Sequence, residues 1–184
     1  MCCFSRPVRF VGGTRIFARG LPDGRQWLAY SMNVEIDQDL AMVLPLPVPP
    51  GPADDAVSFL DLSGYPRFFL DLAKAFPPIM LMQAKSRGFR LAPEQPRLVV
   101  HDVGMFEASF VPTRGDFARL DPRFRLPDTA WSGLGAYADW GFAVFKLRPA
   151  KRGFLGFGTS RQKIHPMALT FPRRDPRALF FPTV

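Results

Sequence analysis

The sequence predicts an α+β fold built mainly on antiparallel β-sheet, with an N-terminal β-meander and two inserted helices. Three observations favour this class. Apolar and polar residues alternate along much of the first third, short turn-forming segments separate these stretches, and only two segments have the spacing of an amphipathic helix. Strands joined by short turns pair antiparallel, whereas parallel strands need long crossovers. We therefore expect one domain over residues 1–184, a length that suits a single hydrophobic core.

The N-terminal meander starts with residues 7–19, PVRFVGGTRIFAR. Gly12 and Gly13 lie at the centre of this stretch, and glycine readily adopts the positive φ values that a two-residue hairpin turn requires. Apolar residues follow and precede the two glycines. We therefore expect a β-hairpin whose turn is formed by Gly12 and Gly13.

The clearest strand follows at residues 26–36, QWLAYSMNVEI. Apolar residues occupy every second position of this stretch, which is typical of a strand with one face in the core. Ser31, Asn33 and Glu35 should lie on the other face, because a strand alternates its side chains between two faces. The expected buried face consists of Leu28, Tyr30, Met32, Val34 and Ile36.

Two segments have helical spacing. Apolar residues recur every four positions from Phe68 to Phe76, which predicts a core-facing helix over residues 66–76. Residues 129–141, TAWSGLGAYADWG, predict a second, short helix with Gly141 as its C-terminal stop. These segments are the two inserted helices of the predicted fold.

The N-terminus and the cysteines bear on the cellular compartment. The first ten residues contain Arg6 and Arg9 and lack the apolar core of a signal peptide. No stretch approaches the roughly 18 apolar residues that a membrane-spanning helix needs. The adjacent Cys2 and Cys3 are poorly placed to bridge each other, because a disulfide has a strict geometry. We therefore expect a cytoplasmic protein with no transmembrane segment.

Positive charge is concentrated in the C-terminal part of the chain. The net charge is +8; residues 1–112 hold 11 basic and 11 acidic side chains, whereas residues 113–184 hold 13 basic and 5 acidic ones. Clustered arginine and lysine attract polyanions. The alternative is a solvated basic surface that keeps the protein in solution. The candidate anion-binding residues are Arg152, Arg161, Lys163, Arg173 and Arg174.

Six stretches resemble, in chain order, a bacterial family described as domain of unknown function 2330. The most specific of them runs from Asp39 to Pro47 and is similar to the family's acidic-aromatic-Ala-x-Val-Leu-Pro-x-Pro strand. The six stretches are CCFSRPV, TRIFAR, DLAMVLPLPVPP, HDVGMFEASFVP, YADWGFAVFKLRP and HPMALTFP. Because this family has no established activity, the resemblance implies a bacterial origin and assigns no catalytic residue.

The opening MCCF supports one catalytic hypothesis. Removal of Met1 would leave Cys2 with a thiol and a free α-amino group, the equipment of an N-terminal nucleophile hydrolase. The stretch that follows is similar in layout to the start of choloylglycine-type hydrolases: cysteine, strand, glycine-containing hairpin, then an arginine. This resemblance implies Arg19 as the arginine and Asp23 as the acid beyond it. The arginine spacing fits Cys3 better than Cys2, so both cysteines are candidates.

This hypothesis makes a structural demand. A catalytic Cys2 or Cys3 should open into a pocket that Arg19 also reaches, because a nearby cation favours the thiolate. The apolar residues of segment 4–10 favour a first strand inside a sheet. We further expect Arg19 to prefer a carboxylate partner such as Asp23 over the thiol.

A metal site is the remaining hypothesis. Sulfur and nitrogen ligands from Cys2, Cys3, His101 and His165 would suit zinc or copper. The spacing contains neither C-x-x-C nor H-x-x-x-H, the usual signatures of such sites. The alternative for His101 is a strand residue paired with Asp102 or with a backbone carbonyl.

The sequence therefore favours a bacterial binding or assembly module without established catalysis and without a cofactor. Its partner would be a protein or a small molecule, and a homo-oligomer is compatible with the same features. Two alternatives stay open. One is a cysteine N-terminal nucleophile amidohydrolase that uses Cys2, and the other is a zinc- or copper-binding protein.

Overall fold

The predicted α+β class, mainly antiparallel sheet, is confirmed. The computed structural model describes residues 3–76, 101–103, 106–132, 135–149 and 162–182. For 101–103, 129, 132, 162 and 163 the description covers the backbone alone. The strands in these ranges are β1 (Cys3–Phe4), β2 (Phe10–Gly20), β3 (Arg25–Glu35), β4 (Leu40–Leu46), β5 (Ser58–Asp61), β6 (His101–Val103), β7 (Phe106–Val111), β8 (Gly141–Leu147), β9 (Gln162–Lys163) and β10 (Met167–Pro172).

The helical elements are short. They are α1 (Phe68–Ala75), α2 (Asp128–Ser132) and three single 3₁₀ segments, Arg114–Arg119, Pro122–Phe124 and Gly135–Tyr137. In the part of the chain described here, no helix is both long enough and apolar enough to cross a membrane.

The strands form two antiparallel sheets. Sheet I has the order β1-β4-β8-β7-β6, and sheet II has the order β2-β3-β10-β5, with β9 also paired to β3. The strands β3 and β4 follow one another in the chain but lie in different sheets, so the N-terminal meander comprises β2 and β3 only. The whole of β4 is buried, which suits an interior position with cover on both faces.

One hydrophobic core lies between the two sheets. The buried face predicted for β3 is confirmed, since Leu28, Tyr30, Met32, Val34 and Ile36 all belong to this core. Side chains from β4, β7 and β8 of sheet I face them across the sandwich, and side chains of β10 extend the same face of sheet II. Ala29, on the other face of β3, is also buried because Phe68 and Phe69 of α1 pack over it. Alternation therefore predicted which face of β3 lies in the core, but it did not predict that α1 packs on the opposite face.

The hairpin turn predicted at Gly12 and Gly13 is wrong. Both glycines lie inside β2, where the register with β3 shifts between Gly12 and Arg15. Gly13 has a φ of 62°, so it supplies the left-handed residue of a β-bulge. The chain reverses later, at Leu21 to Gly24, where the Leu21 N–H donates to the Arg25 carbonyl over 2.8 Å. A left-handed glycine suits a bulge and a turn equally, so local sequence does not separate them.

The two predicted helices have different outcomes. The helix expected over 66–76 is confirmed as α1, with Phe68 and Phe69 buried. The second helix is shorter than predicted, and Gly141 is the first residue of β8 rather than a helix stop. A Cβ at Gly141 would lie 2.6 Å from the Phe110 ring. Close packing, rather than helix termination, is therefore the reason for glycine at this position.

Each sheet is covered on its outer face. Phe117, Phe124, Leu126 and Trp131 pack against the outer face of sheet I, together with Phe142 and Val144 of β8. On the outer face of sheet II, Phe17 and Trp27 pack against α1. The buried apolar side chains of the described chain therefore form three clusters: the central core between the sheets, one on the outer face of sheet I and one on the outer face of sheet II.

Candidate functional site

The candidate nucleophile Cys3 and the candidate cation Arg19 lie on opposite sides of the molecule. Cys3 is opposite Val43 in sheet I and packs against the outer cluster of that sheet. On β2, Ala18 packs into the central core and Phe17 packs on the outer face of sheet II. Arg19 therefore shares that outer face with Phe17. Both sheets, which stack about 10 Å apart in such sandwiches, separate Cys3 from Arg19.

The prediction that the first strand lies inside a sheet is wrong. β1 has two residues and lies at the edge of sheet I, paired with β4 alone among the described strands. Pro7 follows shortly after it and has no backbone N–H to donate to a ladder. The expectation failed because the apolar residues of segment 4–10 divide between two sheets: Phe4 is in β1 and Phe10 begins β2.

Asp23 belongs to the β2–β3 turn. Its Oδ1 accepts a hydrogen bond from the Arg25 N–H over 3.0 Å. The expected pairing of Asp23 with Arg19 is absent, since Arg19 forms no salt bridge with any residue of the described ranges. Cys2 lies outside the described residues, so its role as an N-terminal nucleophile stays a prediction.

The separation of Cys3 from Arg19 can be tested chemically. In Arg19→Ala, the pH profile of iodoacetamide alkylation at Cys3 should match that of the parent protein, within about twofold at each pH, because a cation beyond two sheets is too distant to stabilise the thiolate. Cys2 and Cys3 fall on one N-terminal peptide, so tandem mass spectrometry with fragmentation of that peptide measures alkylation of Cys3 separately from that of Cys2. A profile that moves to higher pH in the variant would contradict this geometry.

The predicted metal ligands do not come together in the described part of the chain. His165 is buried and its ring stacks on Phe106 of β7, with centroids 4.5 Å apart. Cys3 is on β1, three strand positions away from β7 across sheet I, about 14 Å at the usual strand spacing. Within the described ranges no group of three or more His, Cys, Asp or Glu is placed to hold a metal ion. The side chain of His101 and all of Cys2 lie outside the description.

His165 marks an irregularity in sheet II. Lys163 is opposite Asn33 on β3, whereas Met167 is opposite Tyr30. The register therefore shifts by one residue between β9 and β10, and His165 lies in the segment where it shifts. Buried against an aromatic ring, His165 has a packing role in the described structure.

Two of the predicted anion-binding arginines hold segments of the chain together. The Nε of Arg173 donates to the Gly24 carbonyl over 3.2 Å. The Nε of Arg174 donates to the Val48 carbonyl over 3.0 Å, and its Nη1 donates to Asp139 Oδ2 over 2.9 Å. These contacts tie the segment after β10 to the β2–β3 turn, to the segment after β4 and to the segment before β8. Both guanidinium groups are therefore engaged in structural contacts.

For the other three predicted anion-binding residues the structure describes no side chain. Arg152 and Arg161 lie outside the described residues, and of Lys163 the description covers the backbone alone. Anion binding by these three residues stays a prediction.

Glu107, Lys146 and Arg148 form a charged cluster that sequence reasoning missed; we call it the Glu107 cluster. Glu107 of β7 lies opposite Lys146 of β8, and its Oε2 is 3.1 Å from the Lys146 Nζ. Arg148 donates to the other oxygen of Glu107. The hydrogen bond from Lys146 is the main cause that lowers the pKa of Glu107. With its carboxylate shared by two cations, the cluster has the character of a structural clamp between β7 and β8.

The Glu107 cluster makes stability depend on pH. Glu107→Gln should lower the free energy of unfolding by about 1 kcal/mol at neutral pH, because Lys146 loses its charged partner. The folded-state pKa of Glu107 lies below its ordinary value of 4.5, so the contribution is present above pH 4.5 and is lost as the pH falls through the folded pKa. The difference between variant and parent should therefore shrink as the pH falls below 4.5 and through the folded-state pKa.

Urea unfolding at a series of pH values measures this difference. Asp175→Asn is the matched control, because it removes an exposed ion pair with Arg177, and such pairs contribute little. A cost for Glu107→Gln that is as large in acid as at neutral pH would show that charge is not its origin.

A second feature that sequence reasoning missed is a pair of exposed arginines on β2. Arg15 and Arg19 are exposed and lie on the same face as Phe17, because alternate residues of a strand share a face. The Phe17 ring contacts the rings of Trp27 and Phe68, with centroids 5.4 Å and 6.3 Å apart. We call Arg15, Phe17 and Arg19 the β2 arginine face. In the sequence these residues form the pattern Arg-x-Phe-x-Arg, which has the two-residue period of a strand.

The β2 arginine face differs from most other exposed arginines in its lack of acidic partners. Arg9, for example, lies 2.6 Å from Asp37, and Arg119 lies 3.0 Å from Asp54. Arg6 and Arg114 are exposed and also form no salt bridge with a described residue, but each is a single residue rather than one of a pair on a strand face, and Arg114 lies over the Trp131 ring. Arg15, like Arg19, forms no salt bridge with a described residue. The face therefore presents two positive charges that the described structure does not neutralise.

No protein-family model, no curated protein and no solved structure matches this chain. The similarity to the domain of unknown function 2330 family stays a prediction from the six sequence stretches.

Proposed function

We propose that this protein is a binding module for an anionic partner, and that the β2 arginine face is its binding surface. One observation carries the proposal: Arg15 and Arg19 are exposed on one face of β2 and have no salt bridge within the described chain. Guanidinium groups match carboxylate and phosphate oxygens in geometry and carry charge at every physiological pH. Two such groups about 13 Å apart along a strand suit an extended anion.

Binding is favoured over catalysis by the distribution of reactive groups. Cys3, the one described candidate nucleophile, is on the far side of both sheets from the β2 arginine face. Arg173 and Arg174, from the basic C-terminal part, are engaged with backbone carbonyls and with Asp139. The β2 arginine face is therefore the better candidate for polyanion contact among the described basic residues.

We also propose a location in the bacterial cytoplasm. The run from Asp39 to Pro47, similar to a bacterial family, supports the bacterial origin. The two cysteines of the sequence, Cys2 and Cys3, are adjacent and therefore poorly placed to bridge each other, which suits a reducing compartment.

Fluorescein-labelled poly-L-glutamate is a suitable probe of the proposed function. We expect binding at low ionic strength that weakens as salt is added, because exposed charges are screened. Arg15→Gln combined with Arg19→Gln should weaken binding by about tenfold or more, which is about 1.4 kcal/mol. The matched control is Arg177→Gln, an arginine with 88% of its side chain exposed but with Asp175 beside it.

Fluorescence anisotropy titrations give the dissociation constants. The control should bind within about twofold of the parent, because Arg177 is already paired. Binding that does not respond to salt, or that survives the double substitution unchanged, would refute the proposed surface.

A further inference from the structure

We infer that the anionic partner is an acidic segment of another protein that adds to β2 as a further strand of sheet II. The inference rests on the proposed function and specifies its partner. It starts from the position of β2, which lies at the end of sheet II and pairs with β3 alone within the described ranges. The backbone groups on the other edge of an end strand are available for pairing with another chain.

The second half of β2 is a regular edge. From Arg15, opposite Ser31, to Gly20, opposite Gln26, the register with β3 continues without a shift. This stretch contains no proline, and the bulge at Gly13 lies outside it. Proteins commonly protect edges with prolines, bulges, short strands or charged side chains. Of these devices, the Arg15–Gly20 stretch has only the charged side chains, Arg15 and Arg19, which repel a cationic strand and attract an anionic one.

The other sheet edges in the described chain are shorter. At the opposite end of sheet II, β5 has four residues, and the edge strands of sheet I, β1 and β6, have two and three. The Arg15–Gly20 edge is therefore the longest regular one that the described structure offers to an added strand.

The charge on this edge selects the occupant. Residues directly opposite each other on neighbouring strands have side chains about 5 Å apart and interact, favourably if the charges are opposite. Arg15 and Arg19 would thus take carboxylates four residues apart on the added strand. The residue midway between the carboxylates would lie opposite Phe17, whose ring contacts Trp27, so an apolar side chain fits there. The expected motif is acidic-x-apolar-x-acidic.

The same charges oppose a second copy of this chain as the occupant. If two β2 strands paired antiparallel with Phe17 opposite its copy, Arg15 of each chain would face Arg19 of the other. Like charges directly opposite each other destabilise a strand pair. The acidic segment removes this repulsion and replaces it with attraction.

A synthetic peptide of the sequence Thr-Glu-Thr-Val-Thr-Glu-Thr tests the inference. We expect it to bind the full chain, and we expect the version with glutamine in place of both glutamates to bind at least about tenfold more weakly. Arg15→Gln with Arg19→Gln in the protein should remove the preference for the acidic peptide, whereas Arg177→Gln should preserve it. These arms test the charge pattern.

Two N-methylated isomers of the acidic peptide test the added strand itself. One carries N-methyl groups on the glutamates and the valine, the other on the threonines, so each blocks the N–H groups on one edge of the extended peptide. An added strand uses one edge, so only one isomer should bind. Equal binding of the two isomers, whether retained or lost, would overturn the strand arrangement even if poly-L-glutamate still bound and the proposed function held.

Hydrogen exchange provides the direct structural readout. Outward-facing amides within Arg15–Gly20, those that do not donate to β3, should become protected when the acidic peptide is added. Protection of the same amides without peptide, increasing with protein concentration, would instead identify a second copy as the occupant and overturn the inference.

Discussion

Phe145→Ala should lower the free energy of unfolding by about 4 kcal/mol, the largest effect expected of a single substitution in this chain. Phe145 lies on β8 with 1% of its surface exposed. Its ring packs edge to face against Phe59 of β5 and Phe106 of β7, with centroids 5.7 Å and 5.5 Å away. Because these partners come from both sheets, the two layers cannot close the cavity without moving as a whole.

Equilibrium urea unfolding measures this cost. Phe76→Ala is the control, because Phe76 is 67% exposed and its truncation should change the free energy of unfolding by less than about 0.5 kcal/mol. A cost for Phe145→Ala of under about 1.5 kcal/mol would mean that the two sheets do not pack through this ring.

Gln26→Leu should cost about 2 to 3 kcal/mol and loosen the C-terminal segment. Gln26 is fully buried on β3. Its Nε2 donates to the Phe180 carbonyl over 2.6 Å, and its Oε1 accepts from the Phe180 N–H over 2.8 Å. Leucine preserves much of the volume but leaves both backbone groups of Phe180 without their partner. A buried donor or acceptor that loses its partner costs the free energy of its desolvation.

Two measurements detect this effect. Urea unfolding gives the cost, and hydrogen exchange should become faster at the Phe180 amide than in the parent protein. Gln38→Leu is the control, since Gln38 is exposed in the β3–β4 connection and should tolerate the change. If Gln26→Leu is as stable as Gln38→Leu, the paired hydrogen bonds do not anchor the C-terminal segment.

The spacing of apolar residues along the chain predicted those elements that bury one face, namely β3 and α1. The alternation along β3 and the four-residue spacing of α1 each describe one face, and burial of a face is what selects these structures. The division of strands between two sheets has no local signal. It depends on which strands need cover on both faces, as β4 does, and on pairings such as Cys3 with Val43, forty positions apart in the chain.

The candidate site shows the same limit. The sequence points to Arg19, but as the partner of a cysteine, because the layout that suggests this role places a turn at Gly12 and Gly13. The bulge at Gly13 keeps Arg15 and Arg19 on one long strand, and a shift of one residue decides which face a side chain takes. The Glu107 cluster joins residues about forty positions apart, whose pairing only the β7–β8 register reveals.

The central claim is that the β2 arginine face is the anion-binding surface, and backbone chemical-shift mapping by NMR tests it most directly. In a titration of isotopically labelled protein with poly-L-glutamate, we predict that the largest amide shift changes fall within Arg15–Gly20 and its neighbours on β3, and that they diminish as salt is added. Changes that are absent from Arg15–Gly20 and concentrate instead at Arg173, Arg174 or Arg161 would contradict the claim and favour the basic C-terminal part of the chain.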